Sequence, residues 1–454
     1  MRAKNKKPKN RYGASSVFLG IILSAVILIE CTFLTFVWEL DYMTKVNSAA
    51  EAQIESIMCE YNRQLFDVYG VYAFTKDAVD DDIYRKALLA CGYEEGPVLN
   101  LGGYKQIDRK ALRDAINMYY SYRATGITIC QIADVFSEMI GELVNTGVLK
   151  SIKEYTSSPA AGFVSDIISG SEKLTEWIEK AGEALKIDDI DSKLGIFESV
   201  KKSLKGNDND LKDLSINISI SDMKPAIKLI DSLMELHETQ AKTSCKLLTH
   251  LNAANYFSYN FDCFLKQDID YSINGTAFSN IHSKNKDDAE YILTGLTGNA
   301  SIAAVNYLLL AVLTGKNFLK DYLDKDFRSK VDVVSQILSA IIAVISEGSV
   351  EIDYRIITVA LIFLIATIQG GKDINTLRKG ERVTLAETKD KAIATAGYRD
   401  FLYLFMLAQS DDRMIDRSLN ILKRDYGDLY TGLTAKADAG LKKIEIKRSY
   451  VLYG

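Results

Sequence analysis

The chain has 454 residues, 48% of them apolar, enough for one large domain or two to three ordinary ones. Only four prolines interrupt it, which favours a largely helical protein. The formal net charge of −5 hides an asymmetry: positions 1–12 hold six basic residues and no acid, leaving 49 basic residues against 60 acids beyond them. A basic tail beside an apolar run is a topology signal, and the acidic remainder argues against nucleic acid as the main partner.

The run Val17 to Trp38 has 22 residues and one charge, Glu30. At 1.5 Å per residue it reaches about 33 Å, enough to span a hydrocarbon core of about 30 Å. The basic tail precedes it and Glu39 and Asp41 follow it, so the expected topology is single-pass with a cytoplasmic N-terminus and a large extracytoplasmic domain. Cleavage as a signal peptide is not expected, because bulky Phe36, Val37 and Trp38 follow the run and the first small residues are Ser48-Ala49-Ala50. Glu30 is costly in lipid, about 2.5–3.5 kcal/mol on insertion scales. It reads either as a tolerated acid or as a docking charge for another membrane helix.

Beyond the span, Leu40, Met43, Val46, Ala50, Ile54, Ile57, Tyr61, Leu65 and Val68 recur at steps of three and four. That stripe predicts one continuous helix from residue 16 to 69, stopping at Gly70. The run Asp80-Asp81-Asp82 is expected to cap a helix starting at Ile83. Residues 104–150 read as helices, 157–213 as a helical insertion with Gly/Ser breaks, and 214–221 as a strand candidate. A long helix is expected from Pro225, followed by Tyr-rich alternating runs between 257 and 293 that suit a small antiparallel sheet. In 331–346, Val334, Ile337, Leu338, Ile341, Ile342 and Ile345 form one face, with Ser335, Gln336 and Ser339 opposite. Ile356 to Ile368 is apolar nearly all round and, at 13 residues, short for a span; it reads as a central core helix, with a second membrane segment as the alternative. Ser410 to Arg413 caps a last amphipathic helix with Ile415, Leu419 and Leu422 inward.

The expected fold is mainly α (α+β), with a long N-terminal transmembrane and stalk helix before a helical domain carrying a small antiparallel sheet. The divisions are a tail at 1–15, the span at 16–38, an amphipathic stalk at 39–70 and a helical region with the insertion at 71–213. A helix and small sheet follow at 214–295, then a helical core at 296–426 and a C-terminal tail at 427–454.

Catalytic constellations are hard to build from three histidines, and no HExxH, Walker A, GxSxG or GxGxxG motif occurs. Six widely spaced cysteines form no CxxC pair, and with Cys31 in the span five remain, so they read as small core residues. No cofactor, metal or enzymatic activity is expected.

The basic tail, the apolar helix with an internal Glu and the stretch CEYNRQLFDVYGVYAF resemble TadE/TadG-like pseudopilin proteins, in a Gram-positive branch classed as a domain of unknown function. The matching residues are Glu60, Tyr61, Arg63, Leu65, Phe66, Tyr69 and Gly70. INMYYSYRATG at 116–126, DDAEYILTG at 287–295 and YRDFLYLFMLAQSDDRMIDRSLNIL at 398–422 are also similar to that branch. One departure is that Gly13 and Gly20, the candidate processing glycines, are followed five residues on by Phe18 and Ala25 instead of Glu. Anchoring without cleavage is therefore expected. The resemblance implies a non-catalytic component of a Tad-type pilus or related envelope assembly, partnering pilin-like proteins through Glu30 and the anchor helix. A surface adhesin or sensor and an envelope enzyme remain the alternatives.

Overall fold

A computed structural model describes residues 12–78, 82–121, 248–265, 271–273, 276–278, 287–346, 350–388, 391–440 and 442–450, with isolated positions between 141 and 202. The chain is mainly helical, with a long apolar N-terminal helix and a small three-stranded antiparallel sheet. It divides into two compact units, Met1–Ala111 with Tyr426–Gly454, and Leu112–Asp425. The strand expected at 214–221, the helix from Pro225 as far as residue 247 and most of the insertion at 157–213 lie outside the described residues; the last part of that helix is described and is helical from Leu248.

In the first unit, helix α1 (Tyr12–Cys59) runs through the apolar segment into the predicted stripe. Val46, Ala50, Ile54 and Ile57 are buried, while Leu40 is exposed. The helix is shorter than expected. It ends at Cys59, and α2 (Arg63–Tyr69) restarts after a three-residue break. The break has a local cause: Asn62 accepts from the Leu65 N–H at 2.9 Å, and its own N–H reaches Ala73 O at 2.9 Å. A short 3₁₀ turn (Lys76–Ala78) and α3 (Ile83–Ala90) follow. Asp82 stands at the N-cap without a side-chain capping bond and pairs instead with Arg85 and Lys86. The Tyr84 N–H donates to Gln53 Oε1 of α1 at 2.8 Å, tying the first turn of α3 to α1.

Two further corrections concern strands. Residues 100–106, expected in part as helix, form β1 (Asn100–Gln106), and the segment expected as a C-terminal tail supplies β6 (Tyr430–Asp438) and β7 (Lys443–Ser449). The sheet order is β1-β6-β7, all antiparallel. Leu433, Ala435, Ala437, Ile444 and Ile446 pack with Val46, Ile54, Ile57, Tyr84 and Leu88 in one core. Alternate residues of β7 are exposed, as expected for a sheet solvated on its other face.

The second unit holds α4 from Leu112 (the helix is Arg109–Ser121), α5 (Leu248–Asn260), α6 (Asp288–Thr294), α7 (Asn299–Leu323), α8 (Lys325–Ile345) and α9 (Tyr354–Arg378). It also holds α10 (Tyr398–Met406) and α11 (Asp411–Tyr426) through Asp425. The hairpins β2 (Tyr271–Ile273) with β3 (Thr276–Phe278), and β4 (Val383–Thr388) with β5 (Lys391–Ala396), complete it. Of the Tyr-rich runs expected as sheet, YFSYNF lies at the end of α5, while IDYSI supplies β2, which pairs antiparallel with β3 in the region expected to hold a small sheet.

Helix α9 extends the expected 13-residue run to 25 residues. Its apolar segment is buried on all sides from Ile357 to Thr367. It packs closely on α7: a Cβ on Gly370 would stand 3.2 Å from Thr314 N. In α8 the expected face holds, with Val334, Ile337, Leu338, Ile341 and Ile342 buried; Ser335, expected on the outer face, is buried too. Its hydroxyl donates to Val331 O at 2.8 Å, so burial leaves no unpaired polar group there.

Candidate functional site

The residues singled out from sequence fall into two places in the first unit. Glu30 sits on α1 within a stretch whose large apolar side chains are exposed from Val17 to Trp38. The neighbouring hydroxyls are already engaged: Ser24, Thr32 and Thr35 donate to the carbonyls of Gly20, Leu28 and Cys31, four residues back, at 2.7–2.8 Å. Among the described residues none gives Glu30 a hydrogen bond or ion pair. The helix is long and apolar enough to cross a membrane, and among the described residues nothing covers its apolar window.

The Glu60 to Tyr72 stretch forms an elbow. Leu65 and Tyr69 are buried, whereas Arg63 and Glu60 are exposed. Gly70 closes α2 at φ 66°, a left-handed conformation that suits glycine, and its N–H returns to Phe66 O. The Tyr61 ring meets Phe66 and Tyr72 edge-on, with centroids 5.6 and 5.0 Å apart, and Tyr72 stacks on Tyr450. Tyr450 in turn donates its hydroxyl to Met58 O at 2.7 Å, next to the end of α1. These residues therefore turn the chain off α1 and fasten it to the end of the sheet. Apart from exposed Glu60 and Arg63, the motif is accounted for by folding.

In the second unit, the stretches 287–295 and 398–422 come together around a buried polar knot. Glu290 is fully buried; its Oε1 accepts from the Phe264 N–H at 2.9 Å and from the Tyr398 hydroxyl at 2.8 Å. Among the described residues Oε2 has no hydrogen-bond partner. Burial pushes the carboxyl up to about 7, against the opposing pull of those donors and Arg399. Burial likewise pushes the nearby Cys263 thiol up to about 11, so it is not a ready thiolate.

Three arginines bind this knot. Arg399 donates to the carbonyls of Ser258, Tyr259 and Phe261 at 2.8–3.3 Å, satisfying the open end of α5. Arg417 does the same for α6, reaching Ile292 O and Leu293 O at 2.7 Å. Arg424 grips the buried Asp288 with two bonds of 3.0 Å. His250, also buried, lies between Asp411 and Leu407 O. Sequence reasoning missed all of these, because the partners lie more than a hundred residues apart and nothing in the spacing links them.

The knot's charges thus face helix ends and one another, an arrangement that fixes helix positions. Among the described residues, no group of three or more His, Cys, Asp or Glu is placed to hold a metal ion. No family model, curated protein or solved structure matches the chain.

Proposed function

We propose that the chain is a membrane-anchored, non-catalytic component of a Tad-type pilus or related envelope assembly, its N-terminus cytoplasmic and its large domain outside. The observation that carries this reading is the exposed stretch of residues 16–38 with one carboxylate, Glu30, for which no described residue supplies a partner. A purely anchoring helix gains nothing from Glu30, because lipid cannot solvate the charge and the segment offers no cation. A second helix bearing an amine or guanidinium supplies what is missing. The same helix continues rigidly into the core of the first unit, so docking in the membrane is transmitted to the domain. The "pilus" part rests on the resemblance of residues 60–72, 116–126, 287–295 and 398–422.

The test is association in the membrane. Glu30→Gln should insert at least as well as wild type yet co-purify less with its membrane partners, and Glu30→Leu should insert best and associate worst. Crosslinkers at Val26, Ile27, Phe33 or Leu34, all exposed, should reach the partner helix in wild type and lose it in both variants. Unchanged co-purification and crosslinking in both variants would reduce Glu30 to a tolerated acid and remove the docking reading.

A further inference from the structure

Helix α3 has a direction that matters once α1 is taken to cross a bilayer. Its first turn is tied to Gln53 of α1 through the Tyr84 N–H at 2.8 Å. Just past its other end, the Tyr93 ring meets Tyr42 of α1 with centroids 5.1 Å apart, and the Tyr93 hydroxyl reaches Asp41 at 3.3 Å. The pairing at one end is with residue 53 and at the other with residues 41–42, so α3 runs antiparallel to α1, back toward the apolar segment. Those levels on α1 are separated by about 16 Å at 1.5 Å per residue.

The turn after α3 therefore lies where α1 leaves its apolar stretch. Tyr42 is one turn, about 6 Å, beyond Trp38, and the Trp38 and Tyr42 rings stack at 5.9 Å. The headgroup layer on one side of a bilayer is about 5–8 Å thick, the difference between a hydrocarbon core of about 30 Å and a total of about 40–45 Å shared between two faces. With hydrocarbon ending at Trp38, Tyr93 falls inside that layer. Indole and phenol rings favour this depth because one end is apolar and the other wet. Leu89, on the last turn of α3, is 48% exposed and one of few large apolar side chains beyond the α1 segment left open among the described residues.

We infer that the end of α3 and the turn 89–95 form a second membrane contact, seated in the interfacial layer of the bilayer that α1 crosses. The occupant of this surface is lipid. Its continuity with the exposed apolar helix and its level, about one turn beyond Trp38, set lipid headgroups beside it. Glu94 and Glu95 on the same turn are exposed, so the tip rests among headgroups and does not enter hydrocarbon. The contact fixes the height and tilt of the first unit, which a single helix leaves free to swivel. This inference rests on the reading of α1 as a membrane helix.

The experiment uses full-length protein in phosphatidylcholine vesicles with single tryptophans. Native Trp38 and Trp177 are replaced by Phe, and an indole is placed at Leu89→Trp or, as a reference on α2 just beyond the far end of α1, Gln64→Trp. A third protein keeps only Trp38. Bromine-labelled lipid should quench Leu89→Trp at least twofold more than Gln64→Trp. Equal quenching at the two positions overturns the proposal. So does an indole at 89 that is shielded from aqueous acrylamide yet untouched by brominated lipid, because protein then covers the tip. Trp38 reports the anchor separately: strong quenching there with none at 89 leaves the membrane helix standing and removes the second contact. Should Leu89→Trp not fold, as judged by circular dichroism, Glu94→Trp reads the same tip with the same two outcomes.

Discussion

Helices α1 and α9 teach opposite lessons from the same composition. Both are long and apolar enough to cross a membrane, as is α7. In α1 none of the described residues covers the apolar window; in α9 the protein itself covers 72% of it. The apolar faces of α9 are filled by α7 and α8, and its polar residues have partners: Gln369 donates to Asp321 and Thr358 to Asp332. Asp373, on the same helix, receives Lys316 and Asn317. In the apolar segment of α1 the lone acid, Glu30, has no partner among the described residues. Hydropathy measures the wish to leave water, and only packing decides whether lipid or protein grants it.

The sharpest way to break this contrast is topological. With α9 as a core helix and α1 as the only span, protease added outside intact protoplasts should remove a C-terminal tag together with nearly all the chain beyond residue 70. A protected tag would make α9 or α7 a second crossing. This outcome is all or none.

A charge placed on each helix should give different defects. Leu361 is fully buried in α9, so Leu361→Asp combines lost packing with an unpartnered carboxyl and should destabilise the domain by about 4 kcal/mol or more. Leu28 on α1 is 69% exposed. Leu28→Asp should leave the domain's thermal unfolding in detergent unchanged and instead weaken membrane insertion by about 3 kcal/mol. Equal loss of domain stability from both would mean that α1 is packed like α9.

The smallest expected effect concerns the buried acid of the second unit, Glu290. Glu290 is held up to about 7 from an ordinary 4.5, chiefly by burial. An acid raised on folding contributes its full stability below the unfolded value and loses it as pH rises to the folded one. Stability should therefore fall between pH 4.5 and 7 and then level off, by about 3 kcal/mol at 1.36 kcal/mol per unit. Glu290→Gln keeps an acceptor for Phe264 N–H and Tyr398 OH without the charge. The difference between wild-type and variant denaturant midpoints should grow across that window; a pH-independent difference would show that folding does not raise the carboxyl.

Much of the helical layout was legible because it depends on neighbours three and four residues away. The α1 stripe at Val46, Ala50, Ile54 and Ile57, the α8 face, and Ile415 and Leu422 of α11 all follow from that period. The sheet was not legible in the same way. Strand β1, Asn-Leu-Gly-Gly-Tyr-Lys-Gln, has poor strand propensity and a kink where Gly103 takes φ 56°. It is a strand because β6, more than three hundred residues away, pairs with it. In β7 the alternation of Ile444 and Ile446 with charged residues was a readable signal that the expectation of a tail passed over.

Sequence alone determined the apolar segment with its basic flank, its single carboxylate and the predominance of helix, since each follows from composition and short-range periodicity. Tertiary structure decided where α1 ends, that residues 430–438 and 443–449 are strands, and that α9 is covered by protein. It also placed Arg399 and Arg417 on helix ends brought to them from more than a hundred residues away. These outcomes depend on which surfaces meet, and a buried carbonyl or carboxylate acquires its partner only when the chain has folded.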